Sequence, residues 1–576
     1  MTPSTSRRQF LAAGTQAAAV AAASRFLVAE VRAEGAEEGY RETFAPLDAF
    51  VEQYLRAMNA PGMTLVLADR DGVQRTATYG FSDREGRVAV GPEELFHIGS
   101  ISKSFVAIAL LQLWQEGRLD LYRPVADYLP WFRVDSAFAP ITTHHLLTHT
   151  SGLPSTPPVF LSDPAEKHRA AHAPGEHFHY CNMGYAALGH LLWTLDGRPI
   201  AEALRARVLE PLGMTRSEPV ITLDARARMA KSYAAFQNDR PYGRHGRLAE
   251  APAIITTEGA GCIASTAGDM GRYVQMIARR GRGPKGWLLS EEAFALFSKR
   301  HVEAAEFGPT ATYGYGIAVD SLDGHTVLRH TGGMVSFASA MQIDVDEGVG
   351  VFASINAMQG YRPNPVAQHA IRLMRAQRAG QPLPPGPPSV PPTRVGNAAD
   401  YAGTYRSPAG RTLEIVADGE QLFLAHQGRR APLEIAVGAP DRFVVLDPDF
   451  ERFTLVFGRA DPKDPKSAVV EAGWGEEWFA HPRYTGTTRF DHPKEWESYV
   501  GHYRNENPWI GSLRVVLRKG ALMIDGVVPL EAREGGVFYL RDEEHSPEWI
   551  RFFDVVNGRA MRLKLSGEDL WRVMTA

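Results

Sequence analysis

The sequence predicts an α/β (α+β) sandwich with a helical subdomain, followed by an all-β C-terminal region of two related antiparallel, barrel-like units. Three observations carry this. Strand patterns bracket a helical middle within the first 375 residues, a proline-dense segment then interrupts the chain, and the sequence beyond it repeats itself. At 576 residues there is length for two or three domains with substantial cores.

The chain opens with an address. Ser6-Arg7-Arg8-Gln9-Phe10-Leu11 precedes an alanine-rich, weakly apolar run to Ala23, the pattern of a twin-arginine export signal. Val31-Arg32-Ala33 offers small residues for cleavage, as does Ala21-Ala22-Ala23, and the leader is assigned to residues 1–33. A periplasmic or secreted location follows. No later run of 18 apolar residues occurs, so no membrane span is expected in the mature form.

The first domain is placed at 40–378. Leu47 to Met58 has helical spacing, and Met63–Ala68 and Val73–Tyr79 read as strands joined at Asp71-Gly72. Residues 102 to 280 carry mostly helical patterns, and strands resume between 313 and 355. Thr326, Val327 and Leu328 lead into an expected edge strand through His330-Thr331-Gly332-Gly333, with Ser339–Val345 as its neighbour. A helix-like run ends near Arg378.

Pro382 to Pro392 cannot supply ladder hydrogen bonds and reads as a semi-rigid spacer, so 379–395 is the linker. Beyond it Tyr401-Ala402-Gly403-Thr404-Tyr405-Arg406 recurs as Tyr499-Val500-Gly501-His502-Tyr503-Arg504, and Pro432-Leu433-Glu434 as Pro529-Leu530-Glu531. Two β-units, 396–490 and 491–576, account for this. Their aromatic residues, at strand spacing, are read as core.

Function is written most clearly in Ser100-Ile101-Ser102-Lys103. At the start of an almost wholly apolar helix, residues three apart share a face, so a hydroxyl and an amine point the same way. A serine needs a base to become a useful nucleophile, and a lysine serves as one only when burial strips its proton.

Two companions follow in order, Tyr180-Cys181-Asn182 and His330-Thr331-Gly332-Gly333. Together the three resemble the S-x-x-K, Y-x-N and K/H-T/S-G motifs of the superfamily of class C β-lactamases, penicillin-binding proteins and serine esterases. Leu146–Leu153, Gly259–Cys262 and Asp269-Met270 extend the likeness, which covers residues 45 to 375. It implies that Ser100 becomes acylated and that Lys103 and Tyr180 share the proton work, the base being left open between them. Asn182 would hold that relay or a substrate amide. The backbone N–H groups of Ser100 and Gly333 would form the oxyanion hole, within a substrate-binding set of Asn182, His330, Thr331, Gly332 and Gly333. A nearby ammonium is expected to favour the Tyr180 phenolate, coupling the two titrations.

Histidine stands at position 330 where β-lactamases have lysine, which is similar to the superfamily's esterases and D-amino-acid amidases or aminopeptidases. The expectation is an exported serine hydrolase acting on a small ester or amide through an acyl-enzyme. The alternatives are a penicillin- or peptidoglycan-binding protein with little turnover, or a D-Ala-D-Ala carboxypeptidase or β-lactamase. The tail resembles the accessory β-domains of D-aminopeptidase-like members and is expected to narrow access to Ser100.

No G-x-S-x-G elbow occurs. His145 and His149 stand four apart but lack the glutamate of H-E-x-x-H, so no metal and no organic cofactor are expected. A net charge of -4 without a Lys/Arg-rich block excludes nucleic acid as a partner, leaving a small-molecule, short-peptide or ester substrate. Oligomeric state is not encoded legibly. Cys181 and Cys262, the two cysteines, read as buried fillers, with a bridge between them left open.

Overall fold

The computed structural model describes residues 28–31, 39–155, 157–161, 166–357, 362–389, 391–436, 440–541 and 545–574. The predicted leader therefore lies outside the described residues except for β1 (Val28–Val31), whose backbone pairs with Thr76–Tyr79.

The first domain is a mixed sandwich. In chain order its main elements are α1 (Arg41–Met58), β2 (Gly62–Asp69), β3 (Val73–Asp83), α2 (Ser102–Gln115), α3 (Asn182–Asp196) and α4 (Ala267–Ala278). They continue with β4 (Ala318–Leu322), β5 (His325–Met334), β6 (Phe337–Asp344), β7 (Val349–Ile355) and α5 (Asn364–Arg378). The antiparallel sheet runs β1-β3-β2-β7-β6-β5-β4 and ends in two short strands, Thr312–Tyr313 and Val302–Glu303.

Both faces of the sheet are covered, so its central strands are buried at every position. In β2, Met63, Leu65 and Leu67 pack with Leu47, Val51 and Leu55 of α1 and with Ile371 and Met374 of α5. The alternate residues Val66 and Ala68 face Met270, Val274 and Ile277 of α4 on the other side. This is the period of two expected of a pleated strand with a core on each face. Helix α2 is apolar all round because it lies inside the second of these cores, where Ser102 to Leu111 are all buried.

The strand bearing His330 is not an edge strand as a whole. Strand β5 pairs with β6 along Val327–Met334 and with β4 along His325–Arg329. Strand β4 begins at Ala318, opposite Arg329, so only the end from His330 to Met334 is free of a partner on that side. That free half-edge faces the turn Gly99–Ile101.

After α5 the proline segment lies back on the sandwich, with Gly386 against Phe50 and Leu383 packed on the same core. Two closed eight-stranded antiparallel barrels follow, with strands spanning Gly403–Ala480 and Gly501–Arg572. The repeated tyrosines have a structural task in each. Tyr405 Oη donates to Tyr401 O at 2.7 Å and Tyr503 Oη to Tyr499 O at 2.8 Å, tying the first strand to the turn before it. Tyr401, Tyr405, Phe443, Phe457 and Phe479 fill the first barrel core and Tyr503 and Phe538 the second, whereas Trp509 and Trp571 are exposed. Lys519 joins Glu471 across the barrels at 2.6 Å, and Arg518 donates to Gly475 O at 3.0 Å.

Candidate active site

Ser100 sits on a 3-10 turn, Gly99–Ile101, that leads directly into α2. Gly99 has φ +55, and β5 passes so close that a Cβ on Gly332 would fall 1.9 Å from the Ile98 carbonyl oxygen. Only glycine fits there, which is what lets Gly333 and Ser100 line one cleft.

Lys103 lies beneath that cleft and is wholly buried. Its Nζ is 3.1 Å from Ser100 Oγ and donates to Asn182 Oδ1 and to Ala260 O, each at 2.8 Å. Burial drives its pKa from 10.5 down to about 7, against weaker upward pulls from the thiols of Cys181 and Cys262. Its Nζ stands 4.7 Å from the Tyr180 ring centroid and 5.5 Å from that of Tyr185.

Tyr180 is half-buried in the cleft wall, and the expected bias toward phenolate is reversed. Desolvation raises its pKa well above the ordinary value, outweighing the smaller lowering effects of the Ser100 hydroxyl and Arg362. Burial also weakens the charge on the amine that was to favour the phenolate, by bringing its pKa down to about 7. The Tyr180 hydroxyl faces Ser100 yet falls outside bonding geometry, leaving it unpartnered.

Ser100, Tyr180, Asn182 and Gly333 line a single cleft of about 480 Å³, a size suited to small organic ligands. His330, Thr331 and Gly332 stand behind its wall. The His330 ring turns away to Tyr313, whose Oη lies 2.9 Å from Nε2, and Nδ1 lies 2.7 Å from Thr331 O. Burial lowers its pKa to about 3, so it is neutral. The cation of this cleft is instead Arg362, which donates to Thr331 Oγ1 and lines the opening. No short motif marks Arg362 in the sequence.

The cleft also receives Asn507, Trp509, Ile510 and Glu568 from the second barrel, together with Glu258 of the first domain. Burial raises the pKa of both glutamates, and Glu258 adds to the effect on Glu568.

The remaining candidates have structural partners. His145 lies in a short helix, Thr143–Leu147, and its Nδ1 accepts from Thr142 N at 3.1 Å. His149 lies beyond that helix at φ +58, off its face, and accepts from Cys181 N at 3.0 Å. Cys181 caps α3, its Sγ accepting from Gly184 N at 3.2 Å, and both cysteines are free and buried.

Sheet and cleft together define the class of serine β-lactamases and penicillin-binding proteins. The chain belongs to the Beta-lactamase family, whose model matches residues 47–376, more than half of its length. It is 28% identical over 377 residues to Penicillin-binding protein 4 of Amycolatopsis lactamdurans, covering 61% of this chain and 94% of that one. It is 26% identical over 305 residues to PbpX of Bacillus subtilis strain 168, covering 51% and 71%. Among solved structures, the octameric penicillin-binding protein homologue from Pyrococcus abyssi superposes with a TM-score of 0.54 at 24% identity, over 76% of this chain and 99% of that one.

Proposed function

We propose that the protein is an exported serine hydrolase that cleaves a small ester or amide through an acyl-enzyme on Ser100. The observation that carries this is the buried Lys103 amine at 3.1 Å from the Ser100 hydroxyl, with its pKa lowered to about 7. A neutral amine has two hydrogens and one lone pair. Asn182 Oδ1 and Ala260 O accept the two hydrogens, which leaves the lone pair for the Ser100 proton.

As Ser100 Oγ bonds to the substrate carbonyl carbon, its proton passes to Lys103. The Tyr180 phenol, kept protonated by burial, hands a proton to the departing alcohol or amine and recovers one from Lys103. Water then attacks the acyl carbon and frees Ser100. The backbone N–H groups of Ser100 and Gly333 are the donors for the carbonyl oxygen, an arrangement worth about 3 kcal/mol per donor in enzymes where one has been removed.

The neutral, turned-away His330 supports esters and amides over β-lactams, because it offers no charge to a substrate carboxylate. Arg362 supports a second reading, a penicillin- or peptidoglycan-binding protein with little turnover, since it places a cation at the opening.

One panel separates them. A fluorophosphonate probe should label the wild type and not Ser100→Ala, and p-nitrophenyl esters or D-amino-acid amides should turn over faster than nitrocefin. A stoichiometric acylation by penicillin without turnover of any ester or amide would favour the second reading.

A further inference from the structure

The second barrel reaches the buried lysine by an unbroken line of hydrogen bonds. We propose that Glu548 is a positioning residue for the Lys103 amine, acting through Ser155 and Asn182; this rests on Lys103 serving Ser100 as proposed above.

Glu548 is a carboxylate only 8% exposed, at the seam between the first domain and the second barrel. Its Oε1 accepts from Ser155 N at 2.6 Å. Ser155 Oγ in turn accepts from both Asn182 N and Asn182 Nδ2, each at 3.1 Å. With Nδ2 fixed on Ser155, the other end of the amide, Oδ1, is held 2.8 Å from Lys103 Nζ. A flipped amide would place its NH2 group against the amine, donor against donor.

The carboxylate is itself held from both sides. Ser566 Oγ donates to Oε2 at 2.6 Å, and His179 Nε2 lies 3.4 Å from Oε1. His179 immediately precedes Tyr180, so one side chain braces both the segment that delivers Tyr180 and Asn182 and the Ser155 segment packed against it. Burying a carboxylate at a seam costs several kcal/mol unless donors converge on it. Docking alone does not call for one, and apolar residues serve that purpose at lower cost.

Loss of the Asn182 acceptor makes the protonated amine less favourable, so the acid limb of activity moves to lower pH while the plateau falls. The titratable groups around the amine are Tyr180, Tyr185, Cys181, Cys262, His149 and His330, and His179 faces the carboxylate.

The test compares Glu548→Ala, Glu548→Gln, Ser155→Ala and the Glu548→Ala/Ser155→Ala double variant in the full chain, with p-nitrophenyl acetate as probe and Ser100→Ala as blank. Glu548→Ala should lower kcat about 10- to 100-fold with KM within about 2-fold, in line with the cost of misplacing a catalytic group by an ångström. Glu548→Gln keeps an acceptor for Ser155 N and should recover most of the rate. The double variant should be no slower than the slower single. A crystal structure of Glu548→Ala should show Asn182 Oδ1 withdrawn from Lys103. The proposal is overturned if that contact stays at its present length, or if only KM changes. Equal rates for wild type and Ser100→Ala would instead refute the hydrolase reading, and the crystal structure would still decide the brace.

Discussion

The two barrels share a strand plan and a latch tyrosine, yet only the second enters the cleft. Between its first two strands the first barrel has a five-residue loop, 407–411, whereas the second has a seven-residue loop, 505–511, which carries Asn507, Trp509 and Ile510 to Ser100. Immediately before the sixth strand the first barrel has Thr454 and the second has Glu548. The first barrel meets the hydrolase domain through Arg240–Glu451 and through Arg244 N, which donates to Glu434 Oε2 at 2.8 Å. A repeated fold thus serves once as a strut and once as a wall of the site. The difference is made in loops, where a barrel tolerates change without losing its core.

That contrast can be broken most decisively by truncation. Ending the chain after residue 490 removes the wall and the Glu548 brace together, and should slow Ser100 acylation about 100-fold. Circular dichroism should show the sandwich and first barrel still folded, and a folded truncate of full activity would reduce the second barrel to a passenger.

The pH profile sharpens the comparison. Lys103 has its folded pKa at about 7, so the rate should fall about tenfold per pH unit below that value and level off above it. Changes in the first barrel should leave this limb in place. The same shift has a stability sign. Between about pH 7 and 10.5 the unfolded chain binds a proton that the folded one does not, so Lys103 costs stability increasingly as pH falls through that window and fully below it. Lys103→Met should therefore raise the melting temperature at pH 6 and show little gain at pH 10.

Grafting the five-residue loop 407–411 in place of 505–511 should open the cleft and change the preference between short and bulky acyl esters by about tenfold, the scale of one lost aromatic contact. An unchanged preference would take Trp509 out of substrate selection. The smallest effect belongs to the strut. Glu451→Ala breaks a partly exposed ion pair and should cost less than about 1 kcal/mol in denaturant unfolding, with kcat and KM unaltered.

Much of this molecule is legible in its sequence because local patterns and tertiary contacts agree. The apolar face of Leu47–Met58, the strand over Met63–Ala68 and the end of the helix at Arg378 all appear where the sequence places them. Ser100 and Lys103 meet because a helical turn brings them together, and Tyr180 and Asn182 follow from their motif. Arg362 and Glu548 were illegible. They reach the site through folding over long sequence distances, and no spacing rule records such contacts. The edge expected at His330–Gly333 is present, but as the free half of a strand paired elsewhere on both sides, since strand pairing depends on where the neighbour starts. Tyr503-Arg504-Asn505 shows the converse. It mimics the second motif, yet Tyr503 latches a barrel and Asn505 Nδ2 donates to Asp569 O at 2.8 Å.

The cleft draws on Ser100 at one end of the sequence order and on Glu568 at the other. During translation, then, Ser100 and Lys103 emerge from the ribosome hundreds of codons before the wall that encloses them. The newly made chain passes through an interval in which these side chains are in place but their enclosing wall is not, and a frameshift late in the gene would leave that interval permanent.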